Sequence, residues 1–465
     1  LSLDSVQRAL EDVPRYEGFL TYSELERSSE ELVREYRDFV RLIDIGSTRC
    51  GKRIRALVLG NGSRKAFLFG APHPNEPVGT LVLDYLSWRF AQDESLRKAL
   101  DYTLIIVKVA DIDGLILNEG WFKGPLTIAK YVENYYRSAG DVQIEWSFPI
   151  RYKRLLFEKP VPETVAIMKL IDSYKPSFIY SLHNAGFGGV YYYISEEAPL
   201  LYPIYQLYPK SLGIPLSLGE PEVPWASMLS KAVYKMVSTK DFYEFLEAQG
   251  VDPIAVIRHG GNSYDYASNL NPRVFELVAE VPYFYDPRVE DLDEDRITRR
   301  EAILKGLSIR EDTYRVLEKT WKALKGVLRI EDPCSEEAKL AESIEYFVQT
   351  APKLIESEKA WALKNPGLNR RATRAEVFDN TFVEEFYSAL IMGMLKRIVL
   401  KKDLKRIAFV RPVIEDFETA FEERIAKLES NKSYRVIEIE KLVKVQLAAG
   451  LYTMLYLQSC HCSTS

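Results

Sequence analysis

Apolar and polar residues recur along this chain with two different periods, and the changes between them divide it into segments. Over residues 1 to about 45 the pattern is helical and polar, with Tyr22-Ser23-Glu24 capping a helix expected to run through Leu32, Tyr36 and Val40. Short apolar runs bounded by turn residues follow. Ile54 to Gly60, Ala66 to Gly70 and Thr103 to Ala110 read as strands, with a helix over Thr80 to Gln92 between the last two. Phe178 to Leu182, Val190 to Ile194, Ile254 to Ile257 and Phe275 to Val281 add four strand candidates. Strands alternating with helices, some strands wholly apolar, predict an α/β sheet covered on both faces.

After about Pro287 the period changes again. Glu290 to Arg310 is dense in charge, and helical patterns then cover Glu311 to Val327, Ser335 to Glu358, Ala375 to Leu400, Ile414 to Leu428 and Ser433 to Leu457. Arg406 to Val410 is the remaining strand signal. The chain therefore reads as two parts: an α/β domain over residues 1–290 and an all-helical accessory region over 291–465.

At 465 residues, two or three domains are expected, and 47% apolar with 28% charged residues is the composition of a soluble globular protein. A net charge of -5 gives no reason to expect nucleic acid or an anionic membrane as a partner. The apolar run Val445 to Leu457 is too short to span a bilayer and reads as a buried helix. Cys50, Cys334, Cys460 and Cys462 do not make a disulfide framework, so reducing, cytoplasmic surroundings are expected. Cys460-His461-Cys462 has too few ligands for a structural zinc site.

Histidine narrows the chemistry. There are four, His73, His183, His259 and His461. His73 and Glu76, three apart where an apolar strand meets a helix, can turn toward one point. His183 ends another apolar strand ahead of a glycine-rich turn. Ligand sites in open α/β sheets gather beyond the carboxyl ends of strands, so both segments can share a rim. Two imidazoles and a carboxylate suit zinc and leave a fourth position for water. Glu276 and Glu280 sit on one face of the apolar strand Phe275 to Val281, where an unpaired charge is costly. Either would be a base beside a cation or half of a buried ion pair. His259 is expected to be structural.

Several segments are similar, in order, to the zinc metallocarboxypeptidase family typified by pancreatic carboxypeptidases. They are His73-Pro74-Asn75-Glu76-Pro77 after a strand, Asp111-Ile112-Asp113-Gly114, Pro162-Glu163-Thr164 opening a helix, Leu182-His183, the lead-in Gly46 to Ile54, and Gly260-Gly261-Asn262-Ser263-Tyr264-Asp265-Tyr266. The resemblance covers about residues 20 to 287. It implies a mixed, mostly parallel sheet, zinc held by His73, Glu76 and His183, and Glu280 as general base for hydrolysis of a C-terminal peptide bond.

The chain departs from that family's pattern in three places, the first being Asp111-Ile112 in place of its usual Asn-Pro. No Asn-Arg pair for a substrate's terminal carboxylate follows in the stretch downstream of Asp111-Ile112-Asp113-Gly114, leaving Arg137 and Arg151 as candidates, and Val256 stands where the family has a mobile tyrosine, for which Arg258, Tyr264 or Tyr266 would substitute. Asn184, beside His183, is a further substrate-binding candidate.

The expected partner is a peptide or an acylated amino acid, with homo-oligomerisation through the C-terminal helices. Besides peptidase activity, two readings stay open: a zinc amidase or deacylase, and a catalytically silent binding protein, which would have no need of Glu280. Two aromatic segments, Asn118 to Phe122 and Glu145 to Pro149, could wall a pocket. Tyr191-Tyr192-Tyr193 is expected to be strand with rings at the rim, and Pro199 to Gly250 is long enough to be a lid.

Overall fold

Among the described residues, nine strands form one sheet. In chain order they are Val40–Ser47 (β1), Arg53–Leu59 (β2), Arg64–Gly70 (β3), Tyr102–Val107 (β4), Phe178–His183 (β5), Tyr191–Ile194 (β6), Met228–Ser230 (β7), Val233–Lys235 (β8) and Phe275–Glu280 (β9). The spatial order is β1-β2-β4-β3-β5-β9-β6-β8-β7. The four central strands β4, β3, β5 and β9 run parallel, and antiparallel pairs lie at both edges. The computed structural model describes residues 2–462, with side chains described for 3–459. The side chains of Cys460, His461 and Cys462 lie outside the described residues.

The central strands are apolar because both faces are covered: every residue of β5 and β9 is buried, charged ones included. Helices Ser2–Glu11 (α1) and Tyr22–Glu35 (α2) precede the sheet; Val78–Gln92 (α3) and Pro162–Tyr174 (α4) pack on it. α2 starts with a capping box, in which Thr21 and Glu24 satisfy each other's backbone N–H. It stops at Glu35, so Val40 opens β1 and does not extend the helix, as its period had suggested.

Two other short runs expected as strands are not strands. Ile254 to Ile257 forms a helical turn, Pro253–Val256, because Asp252 caps it and Pro253 takes the first helical position. Arg406 to Val410 is a turn between helices. Pro199 to Gly250 is not one lid: it carries helix Tyr202–Ser211, edge strands β7 and β8, and helix Thr239–Ala248.

Downstream of Ser263–Leu270 (α5) and β9 come Arg299–Lys325 (α6), Glu336–Lys364 (α7), Glu384–Lys401 (α8), Arg411–Glu429 (α9) and Ile439–Cys462 (α10). The first four pack on one another, whereas α10 lies on the sheet against α3, β5 and β9. Its buried Gln446 donates to the carbonyls of His183 (2.5 Å) and Ala279 (3.0 Å), and its own backbone carbonyl accepts from Tyr180 (2.9 Å). No helix among the described residues is long and apolar enough to cross a membrane.

Cys50 and Cys334 are joined by a disulfide across 284 residues. This corrects the expectation of unpaired cysteines, and with it the basis for expecting cytoplasmic surroundings. The bond ties the loop before β2 to the connection between α6 and α7. The chain-entropy account puts closing a loop of this length at about 5–6 kcal/mol, and losing a native disulfide typically costs about 2–5 kcal/mol. Reduction by dithiothreitol should therefore lower the melting temperature by several degrees; an unchanged value would show that the link contributes nothing.

Candidate functional site

β3 delivers its last residue, Gly70, into Ala71, which holds a left-handed φ of +47°. That turn is one an alanine adopts at some cost, and it swings Pro72 and His73 out over the sheet's carboxyl edge. Asn75 and Glu76 complete the turn, with Glu76 N–H donating to His73 O (3.1 Å), and α3 begins two residues later. Asp111-Ile112-Asp113-Gly114, after β4, supports this loop from below. A Cβ on Gly114 would lie 2.6 Å from Pro74 Cβ, so only glycine lets the two loops meet. β5 ends on His183, paired in register with Glu280 at the end of neighbouring β9.

These segments converge. His73, Glu76 and His183 are buried and each offers a ligand atom within 4.8 Å of the others. The imidazole centroids are 4.9 Å apart, and His183 Nδ1 lies 2.9 Å from Glu76 Oε2. His73 Nδ1 is buried with no hydrogen-bond partner, an orphan lone pair that a metal would satisfy. The donor set, two imidazoles and a carboxylate, fits zinc.

Charge follows position. Burial, reinforced by Arg137 and His183, holds His73 well below the usual imidazole range, so it stays neutral and able to ligate. For His183 burial pulls the same way, but the charge and hydrogen bond of Glu76 outweigh it and push the imidazole up to about 9. Metal-free protein at pH 7 therefore carries a proton on His183 that a cation must displace. Zinc uptake should release close to one proton per ion below pH 9, with affinity rising as pH rises toward 9. Calorimetry in buffers of different ionisation enthalpy measures this; uptake without proton release would contradict the pairing.

Glu280 Oε1 is 3.9 Å from His183 Nδ1, and Glu280 Oε2 is buried without a partner. Burial, then the Glu76 charge, raises its carboxyl well above the ordinary value. The guanidinium of Arg137 reaches Glu76 Oε1 at 3.0 Å, so of the arginines expected at the site this one is brought to it. Ser343 of α7 donates to the Arg137 carbonyl (2.7 Å), and Arg397 of α8 donates to the carbonyls of Leu117, Asn134 and Tyr135. The helical region thus braces the loop that carries Arg137.

The other candidates lie elsewhere. Arg151 is exposed on the hairpin Ile150–Tyr152 and Leu155–Phe157, paired with Glu158 (3.4 Å). Arg258 donates to Gln349 (2.7 Å), and Tyr266 to Asp172 (2.8 Å). Tyr264 packs with Tyr193, Tyr234 and Val278. Asn184 is not free for a substrate: its Oδ1 accepts from Val78 N–H (3.2 Å) and its amide donates to Val281 O (3.3 Å), binding the start of α3 to the ends of β5 and β9. His259 bonds the Gly260 carbonyl beside Trp146 and Phe242, as a structural residue would. Trp121 and Phe122 are buried with Phe19, and Phe148 is fully buried, so the two aromatic segments mainly pack.

Other residues reach the site without a sequence signal. Glu222, in the irregular stretch after Leu218, accepts from Tyr193 OH (3.2 Å), and its charge acts on Glu280 and Arg137. Two residues earlier, Glu220 is gripped by the forked guanidinium of Arg299, and its N–H donates to Asp379 (2.8 Å). Tyr387 of α8 accepts from Gly186 N–H (3.3 Å). Of the rim residues, Tyr191, paired in register with Glu280, and Tyr193 were legible in their tyrosine triplet.

Among known families, the model described as zinc carboxypeptidase matches residues 25–280, more than half of the chain. Similar solved structures include carboxypeptidase A from Helicoverpa armigera, at 13% identity over 78% of this chain and 80% of that chain, with a TM-score of 0.39. A metallo-carboxypeptidase from Burkholderia cenocepacia is similar at 14% identity over 57% and 60%, with a TM-score of 0.34. No curated protein matches.

Proposed function

We propose, from the premise that the chain belongs to the zinc carboxypeptidase family, that it is a zinc-dependent hydrolase of amide bonds whose metal is held by His73, Glu76 and His183 and whose general base is Glu280. The observation that carries the reading is the convergence of three buried ligand atoms within 4.8 Å, with a fourth carboxylate 3.9 Å from one of them. Zinc bound there would supply a Lewis acid that polarises a carbonyl and makes water acidic at neutral pH.

The chain's own groups divide the remaining work. Glu280, with a raised proton affinity and an unpartnered oxygen, takes a proton from the attacking water and returns it to the leaving amine. Arg137, in contact with a ligand carboxylate, lies where negative charge grows on the carbonyl oxygen, and a fixed guanidinium there stabilises the transition state.

That placement also bears on substrate. Arg137 abuts the metal group instead of standing one residue beyond it, and Arg151 and Arg258 are engaged elsewhere. No cation identified from the sequence is left to anchor a terminal carboxylate, which favours the second reading, a zinc amidase or deacylase. Comparing zinc-loaded enzyme on short peptides with free or amidated C-termini separates the two: dependence on the free carboxylate supports the carboxypeptidase, equal turnover supports the amidase, and turnover of neither these nor acylated amino acids refutes the proposal.

A further inference from the structure

We infer that Glu145 and Glu276 form a buried pair, one a carboxylate and the other a carboxylic acid, bridged by the hydroxyl of Ser263, and that this pair acts through Ser181 to fix which nitrogen of His183 is left bare for a metal. The acid pair follows from hydrogen-bond geometry alone; its consequence for the metal rests on the zinc-hydrolase reading above.

Ser263 opens α5, and its Oγ lies 2.6 Å from Glu145 Oε1 and 2.5 Å from Glu276 Oε1. A hydroxyl has one proton and can donate to only one of them. The other contact needs a proton on the carboxyl, or two oxygens would repel in a dry interior. Glu145 is the one equipped to be ionised. It accepts from Ser263 N–H (3.0 Å), from Ser263 Oγ, and through Oε2 from Ser181 Oγ (3.2 Å). Glu276 has no such donors. Its Oε2 is buried without a partner, and no Lys or Arg among the described residues pairs with either carboxyl. The ion pair with arginine that the sequence left open for Glu276 is not formed. The proton therefore sits on Glu276, which donates to Ser263. Burial and the neighbouring Glu145 charge drive it in the same direction.

The count then runs outward. Ser181 gives its only proton to Glu145, so toward His183 Nε2, 2.8 Å away, it can only accept. His183 must carry hydrogen on Nε2, and Nδ1 is the nitrogen facing Glu76. Outer partners that set a ligand's tautomer and orientation in this way are worth about 10–100-fold in metal affinity. Glu145, Ser181, Ser263 and Glu276 are positioning residues; none of them touches the metal group's three ligand atoms except through Ser181.

Infrared spectra of the metal-free protein at neutral pH should contain the carbonyl stretch of a protonated carboxylic acid that disappears in Glu276→Gln and persists in Ser181→Ala. Glutamine donates an N–H where the acid donates its O–H, so Glu276→Gln should hold zinc within about 3-fold of the parent, whereas Ser181→Ala and Glu145→Gln should weaken it about 10–100-fold in chelator competition. An acid-carbonyl band that loses no intensity in Glu276→Gln, measured beside Glu280→Gln because burial raises that carboxyl too, or equal weakening by Glu276→Gln and Glu145→Gln, would overturn the inference. Should Glu145→Gln fail to fold, the infrared comparison and Ser181→Ala still decide it. Failure of the parent protein to bind zinc would refute the hydrolase reading alone, leaving the acid pair to stand or fall on the spectra.

Discussion

Glu280→Gln is expected to lower kcat/KM by roughly 10²- to 10⁴-fold while leaving one zinc bound per chain, the loss typical of removing a general base. Glutamine keeps the shape of the side chain but cannot take a proton. None of the three atoms assigned to the metal comes from Glu280, so the site should remain loaded. The substitution also removes a buried carboxyl whose ionised form is opposed by burial and by Glu76, so folding should not suffer. Steady-state kinetics paired with metal analysis on one preparation checks both halves. Retained turnover would remove Glu280 from the reaction, and loss of zinc would make it a ligand.

The second large effect concerns Arg137. Arg137→Ala should reduce kcat by about 10²- to 10³-fold, the scale of losing one donor to a developing oxyanion. A guanidinium 3.0 Å from Glu76 is too close to the metal group to serve as a distant clamp, so the loss should fall on kcat with KM little changed. The opposite split, a raised KM with kcat preserved, would assign Arg137 to ground-state binding of a carboxylate. Arg137→Lys should recover only part of the loss, because an ammonium cannot fork onto Glu76 and the substrate together.

The sheet was legible where the chemistry was one-sided. β5 and β9 are buried along their whole length and β3 from Ala66 onward, mostly with apolar residues, because both faces are covered; His183 ends β5, and His73 and Glu76 lie in the loop that follows β3. Ile254 to Ile257 was not legible, since four apolar residues fit a strand or a helical turn equally and the cap from Asp252 decided it. The outer parts of the site come from far along the chain. Glu145, Ser181, Ser263 and Glu276 meet only because the end of β5, the start of α5 and the body of β9 lie side by side. Ser343 and Tyr387 come from helices whose periodicity reports packing and says nothing of what they face. The bond between Cys50 and Cys334 was hidden for the same reason: 284 residues separate the two cysteines, and nothing in the residues around either marks its partner.

The central claim is that His73, Glu76 and His183 share one metal ion. Anomalous diffraction at the zinc edge from crystals of the zinc-loaded protein tests it most directly. The account predicts a single strong peak enclosed by these three side chains, lost in His183→Ala. A peak elsewhere, or one that persists at full height in His183→Ala, would contradict it.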